Sequence, residues 1–129
     1  MTVVTFFATW CVPCRTEQPE LVRFESSDGR SNPVEVVSVI YQDEPGAVRQ
    51  FERSHGGSWP VVADPSGSIA AAYEVIAVPR AFVVNPEGKV VQAILGGVTA
   101  RSLKRIIATH PLRKALDGPS TSGLSASGP

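Results

Sequence analysis

Six residues at positions 3 to 8, Val-Val-Thr-Phe-Phe-Ala, run almost directly into Cys11-Val12-Pro13-Cys14, and a helical pattern starts at Pro13. No other feature constrains the fold so strongly. Apart from Thr5 the run has no polar alternation, which predicts a strand buried on both faces. A buried strand that feeds a helix and then a second apolar run, Val34 to Ile40, predicts a right-handed βαβ crossover with parallel pairing.

The rest of the chain fits that start. Leu21 and Phe24 lie three apart within a helix expected to reach about Glu25 and to stop at Ser26, Ser27, Asp28 and Gly29, with Pro19 expected to kink it. Asp43-Glu44-Pro45 reads as a helix start with an N-cap candidate and a first-turn proline, from which Val48 and Phe51 face inward before His55-Gly56-Gly57 ends it. Trp59 to Ala63 predicts a short extended piece, and Asp64-Pro65 opens a helix carrying Ile69 and Tyr73.

Ala81 to Val84 and Val90 to Leu95 flank Asn85-Pro86-Glu87-Gly88, the residues a type I turn prefers, which makes them an antiparallel hairpin. Thr99 caps a last helix with the apolar stripe Leu103, Ile106 and Ile107, closed by Pro111. The fold class is therefore α/β: a mixed sheet, parallel in its βαβ part and antiparallel in its hairpin, with helices on both faces. Residues 1–112 form the expected domain. From Asp117 onward Gly, Pro, Ser and Thr dominate without periodicity, so 113–129 is expected to be a disordered tail.

Composition narrows the function by exclusion. In 129 residues, 12 Lys and Arg balance 12 Asp and Glu, so nothing calls for a nucleic acid, an anionic membrane or a polyanionic substrate. The first ten residues hold no basic n-region and no long apolar stretch, and no later run reaches the ~18 apolar residues of a membrane span, so no signal peptide and no membrane segment are read in this chain.

The two cysteines leave three readings. A loop closed between Cys11 and Cys14 is too short for cross-linking to remove much unfolded-chain entropy, so a structural staple is a poor one. A structural zinc site needs four ligands, and His55 and His110 are isolated, so no metal and no cofactor are expected. A redox centre fits best, because a cysteine at a helix start meets unpaired N–H groups and the positive end of the dipole, both favouring thiolate. With Cys14 one turn on, Cys11 can attack a substrate disulfide and Cys14 can resolve the mixed disulfide.

Trp10-Cys11-Val12-Pro13-Cys14-Arg15-Thr16-Glu17-Gln18-Pro19-Glu20-Leu21 resembles the Trp-Cys-x-Pro-Cys-[Arg/Lys]-x-Glu-x-Pro-x-Leu signature of TlpA/ResA-like thiol-disulfide oxidoreductases, a branch of the thioredoxin superfamily. The resemblance continues through residues 59–65 and 78–90. It implies a thioredoxin-like fold in which Pro79 is a cis proline beside the cysteines and the backbone of Val78 pairs with a bound substrate strand. It also implies that Glu17 opposes a second negative charge and relays a proton as the mixed disulfide resolves. A surface glutamate stabilised by the helix dipole is the alternative for Glu17. Trp10 reads as a partly exposed wall of the site, Arg15 as a solvated helix residue, and Trp10, Pro13, Val78, Pro79 and Arg80 are the expected substrate-binding residues.

Two departures from that family pattern stand out. Relatives carry a β segment ahead of the strand that leads to the cysteines, whereas Met1 stands almost on that strand; either the sequence is trimmed or its start misassigned, or a smaller sheet lacking the usual N-terminal β segment is expected, whose uncovered edge would invite a dimer or strand exchange. Relatives also commonly have Thr or Glu after the cis proline, where this chain has Arg80, either a cation beside the cysteines or a side chain pointing to solvent.

The expected activity is disulfide exchange with protein substrates and a redox partner protein, outside the cytoplasm by resemblance, with apocytochrome c cysteines as the family's best-known substrate. A helix end that lowered the Cys11 pKa from about 8.5 to about 7 would contribute ~2 kcal/mol, or ~45 mV toward an oxidising couple, and a buried Glu17 would oppose it, leaving a modest reductant. Two alternatives are a Cu(I)-binding module held by the two thiolates and a peroxiredoxin-like peroxidase. The second wants Pro-x-x-x-Thr-x-x-Cys, but Thr9 lies two residues before Cys11 and the proline is missing.

Overall fold

The computed structural model describes residues 1–28 and 34–110. The expected tail at 113–129 and the Pro111 stop lie outside them. The elements are β1 (Thr2–Phe7), α1 (Val12–Asp28), β2 (Glu35–Ile40), α2 (Pro45–His55), β3 (Val61–Val62), α3 (Ser68–Ala72), β4 (Arg80–Val84), β5 (Val90–Leu95) and α4 (Ala100–Ala108). They follow the predicted order. The sheet runs β3-β2-β1-β4-β5, with β1 parallel to β2 and antiparallel to β4, and β4 antiparallel to β5.

β1 is central, and the absence of polar alternation has its cause there: residues 3 to 8 are all buried. One face of the sheet, with Val3, Val36, Ala81 and Val83, packs against Leu21 and Phe24 of α1 and Leu103 and Ile107 of α4. The other face, with Val4, Phe6, Val39 and Phe82, packs against Ala70 and Val75 around α3. A third cluster at the end of β1 joins Phe7, Ala8, Ile40 and both cysteines to Val48 and Phe51 of α2. Helices therefore cover both faces, and the cysteines lie where α1 and α2 meet the sheet.

Several local expectations shift. α1 runs without a break through Pro19. The N-cap of α2 is Glu44, whose side chain makes no cap bond, and Pro45 follows it in the first turn as expected. The extended piece at 59–63 narrows to the two residues of β3. Asp64 holds α3 from four residues away, its carboxylate accepting from the Ile69 and Ala70 N–H groups at 3.0 and 2.9 Å. Thr99 caps α4 as expected, in a reciprocal pair with Ser102.

The polar residue of β1 is matched rather than exposed. Thr5 pairs with Ser38 across the β1/β2 ladder, their hydroxyls 2.8 Å apart, and the Ser38 hydroxyl also accepts from the Trp59 indole N–H at 2.9 Å. All three residues are buried. Removing one partner from such a trio leaves the others desolvated without a bond, at about 1–3 kcal/mol. Ser38→Ala is expected to lower unfolding free energy by about that amount, read as a lower urea midpoint with an unchanged m-value; an unaltered midpoint contradicts it.

Candidate active site

The site begins where β1 stops. The Cys11 N–H donates to the Ala8 carbonyl at 3.2 Å, closing a turn, and α1 starts at the next residue. The Cys14 N–H, at the third position of the helix, donates to Cys11 Sγ at 3.2 Å. Cys11 thus occupies the cap position and its sulfur takes one of the helix's unpaired amides, the interaction the sequence predicts to favour thiolate. Pro13 occupies the second helical position, where its missing N–H costs nothing. Cys11 and Cys14 are joined as a disulfide with their Cα atoms 5.2 Å apart.

Both cysteines are buried, but their sequence neighbours are not: Trp10 is 57% and Val12 70% exposed. Pro13 is exposed beside them. The Trp10 indole N–H donates to the Gln42 carbonyl at 2.9 Å. Val78 packs against both the cysteine cluster and the cluster under the opposite face. The Val78–Pro79 peptide bond is cis, Pro79 is buried, and its carbonyl accepts from the Gly96 N–H at 3.1 Å. Trp10, Cys11, Cys14, Val78 and Pro79 are therefore gathered at one end of the sheet.

Glu17 belongs with them. It is 3% exposed, one turn past Cys14 on the buried stripe of α1, so the surface alternative is set aside. Its Oε2 accepts from the Val98 N–H at 2.9 Å. Burial raises its pKa from 4.5 to about 7, opposed by that hydrogen bond. One turn further, the Glu20 carboxylate accepts from the Ala100 N–H at 2.9 Å and pairs with Arg23 at 2.7 Å; those bonds hold its pKa below the ordinary value. The two glutamates clip the start of α4 to α1. The sequence reading missed Glu20, which occupies a helix position that looks solvated until α4 is laid against it.

Arg80, expected either beside the cysteines or pointing to solvent, is half-buried. Its Nε donates to the Ile94 carbonyl at 3.2 Å, and its guanidinium lies 4.8 Å from the Phe82 ring centroid. Alternation along β4 puts Arg80 on the Phe82 face, away from the cluster that holds the cysteines. Arg15, expected to be solvated, is exposed but lies 5.6 Å from the centroid of Phe51. Among the described residues no group of three or more His, Cys, Asp or Glu is arranged to hold a metal ion, and no helix is long and apolar enough to cross a membrane.

The Redoxin family model matches residues 1–107. This chain belongs to the Redoxin family. It is 38% identical over 96 residues to the thiol-disulfide oxidoreductase ResA of Bacillus subtilis (strain 168), covering 74% of this chain and 53% of that protein. It is 32% identical over 120 residues to the thiol:disulfide interchange protein CycY of Rhizobium leguminosarum bv. viciae, covering 92% of this chain and 62% of that protein. The chain thus spans between half and two thirds of these relatives. Among solved structures it resembles StoA from Bacillus subtilis, with a TM-score of 0.71 and 29% identity over 81% of this chain and 79% of that one. The thioredoxin-like fold expected from the sequence is the fold of this Redoxin-family chain.

Glu17 makes stability depend on pH with a defined sign. Its folded pKa, about 7, lies above its ordinary value of 4.5, so its contribution is intact below pH 4.5 and is lost as pH rises through 7. The full loss is about 3 kcal/mol at 1.36 kcal/mol per pH unit. Glu17→Gln keeps an acceptor for the Val98 N–H and cannot ionise. It is expected to match the parent in urea unfolding near pH 4 and to exceed it by up to about 3 kcal/mol near pH 8; equal stabilities at both pH values contradict the assignment.

Proposed function

We propose that this chain is a thiol-disulfide oxidoreductase that exchanges disulfides with protein substrates through Cys11 and Cys14, acting as a reductant. The observation that carries this reading is the cap-position sulfur of Cys11, bonded to the Cys14 N–H between exposed Trp10 and Val12.

In the dithiol state the Cys11 thiolate attacks one sulfur of a partner disulfide. A Cys11–partner bond forms, the partner's own S–S bond breaks, and the departing sulfur leaves as thiolate and takes a proton. Cys14, deprotonated, then attacks Cys11 Sγ, forming the Cys11–Cys14 bond and releasing the second partner sulfur. The partner gains two electrons and two protons, and this chain loses them. Glu17, close to neutral pH in its pKa and one helical turn from Cys14, is suited to accept the Cys14 proton. A redox partner protein must restore the dithiol.

Val78, Pro79, Trp10 and Pro13 form the docking rim in this reading, while Arg80 acts through Phe82 and the sheet edge rather than on the sulfurs. Family kinship favours an extracytoplasmic location and substrates such as the haem-site cysteines of apocytochrome c. Among the described residues, 35–37 of β2 have a ladder partner on the β1 side only, since β3 pairs with Ser38 and Val39. That edge is where two copies would pair, which sedimentation velocity at rising concentration tests.

Reduction of insulin by dithiothreitol is expected to be accelerated by the wild type and by neither Cys11→Ser nor Cys14→Ser. Equal rates for all three proteins remove the enzyme reading and leave a binding role for the thiols. Equilibration against glutathione buffers is expected to give a potential at or below that of the glutathione pool; one well above it contradicts the direction assigned.

A further inference from the structure

The turn that presents Cys11 is held from outside. Its closing bond is Cys11 N–H to the Ala8 carbonyl at 3.2 Å, and its central residues are Thr9 and Trp10. Neither is Gly, Pro, Asn, Asp or Ser, so local chemistry gives the turn little preference of its own. Both central residues are instead bonded to the loop between β2 and α2, more than thirty residues away in sequence.

Asp43 Oδ2 accepts from the Thr9 N–H at 2.7 Å and from the Thr9 hydroxyl at 2.6 Å. The other oxygen, Oδ1, accepts from the Glu44 N–H at 2.8 Å. The Trp10 indole N–H reaches the carbonyl of Gln42, a residue whose φ of 49° lies in the left-handed region that side chains rarely adopt. Burial opposes ionisation of Asp43, but the bonds from Thr9 and Glu44 outweigh it and hold its pKa below the ordinary value. The carboxylate is thus an anchor at any pH where a thiolate can react. The same loop opens α2, whose Val48 and Phe51 pack in the cluster with both cysteines.

We propose that Asp43 is a positioning residue of this redox centre: with the Gln42 carbonyl it fixes the turn at residues 8–11, so that Cys11 Sγ and the Trp10 wall meet a partner disulfide in one orientation. This rests on the oxidoreductase reading above. Disulfide exchange needs the attacking sulfur in line with the bond it breaks, and small displacements from such an arrangement cost large factors in rate. A small alkylating agent also reacts in line, but it is free to orient itself on the sulfur from any open side. Asp43 and Thr9 should therefore matter for protein disulfides and hardly at all for alkylation.

The experiment compares wild type, Asp43→Ala, Thr9→Val, Thr9→Ser and the Asp43→Ala/Thr9→Val double variant. Each is assayed for the rate constant of insulin reduction and for Cys11 alkylation by iodoacetamide at matched thiolate fraction. Asp43→Ala is expected to slow insulin reduction by about tenfold or more while alkylation stays within about threefold. Thr9→Ser keeps both donors and is expected to stay within about twofold on insulin, whereas Thr9→Val falls several-fold and adds little to Asp43→Ala, since both break the same contact.

Insulin reduction at the wild-type rate by Asp43→Ala overturns the proposal, and so does a parallel fall in both reactions, which marks a merely structural residue. Should Asp43→Ala fail to fold, Thr9→Val decides alone: slowed insulin reduction with unchanged alkylation supports the proposal, and unchanged rates overturn it. A wild type inactive on insulin removes the oxidoreductase reading and this proposal with it. An active wild type with unaffected variants removes only the proposal.

Discussion

The Cys14 amide bonded to the Cys11 sulfur is the contact on which the chemistry depends, and it exists because a strand buried from Val3 to Phe7 is followed, after only the four residues 8–11, by a helix that begins at Val12. A helix start leaves amides without partners, and a sulfur in the cap position is their nearest acceptor. β1 has neighbours on both sides, β2 and β4, so the helix start is held at the middle of the sheet. The core clusters on either face and at the strand's end are what keep it there.

α1 transmits that placement to the rest of the molecule. Its buried stripe runs Cys14, Glu17, Gln18, Leu21 and Phe24, and its polar members are all tied to other elements. Glu17 and Glu20 take amides at the start of α4, and Gln18 donates to the Gly56 carbonyl at 2.8 Å behind α2. Gly57 has a φ of 120°, a conformation that favours glycine, and a side chain there would displace the Gln18 amide, 2.8 Å away, from its bond to the Gly56 carbonyl. A buried carboxyl group that titrates near neutrality is unfavourable for stability, and such groups concentrate where chemistry needs them.

Most of the architecture was legible in the sequence because it rests on periodicity and on local stop and start signals. The strand at 3–8, the hairpin around Asn85-Pro86-Glu87-Gly88 and the Thr99 cap each need only neighbouring residues to be read. What escaped depends on contacts distant in sequence. Asp43 was read with Glu44 and Pro45 as a helix start, but its carboxylate bonds to both donors of Thr9, a contact more than thirty residues away in sequence. The polar pair Thr5–Ser38 and its Trp59 partner are visible only once β1 and β2 lie side by side. Arg80 was weighed as a charge near sulfur, but strand alternation and the Phe82 ring take it to the other face. The places of Glu17 and Pro79 came from family likeness, and the chain buries the one and carries the other in a cis peptide bond.

The most direct measurement is a map of the covalent intermediate. Reduced Cys14→Ser protein is mixed with a disulfide-bonded protein substrate, the adduct is isolated without reductant, and its cross-linked peptides are identified by mass. A substrate cysteine linked to Cys11 is the result this account predicts. No adduct with Cys14→Ser, combined with a stable adduct through Cys14 in Cys11→Ser, would contradict it by reversing the roles that the helix start assigns.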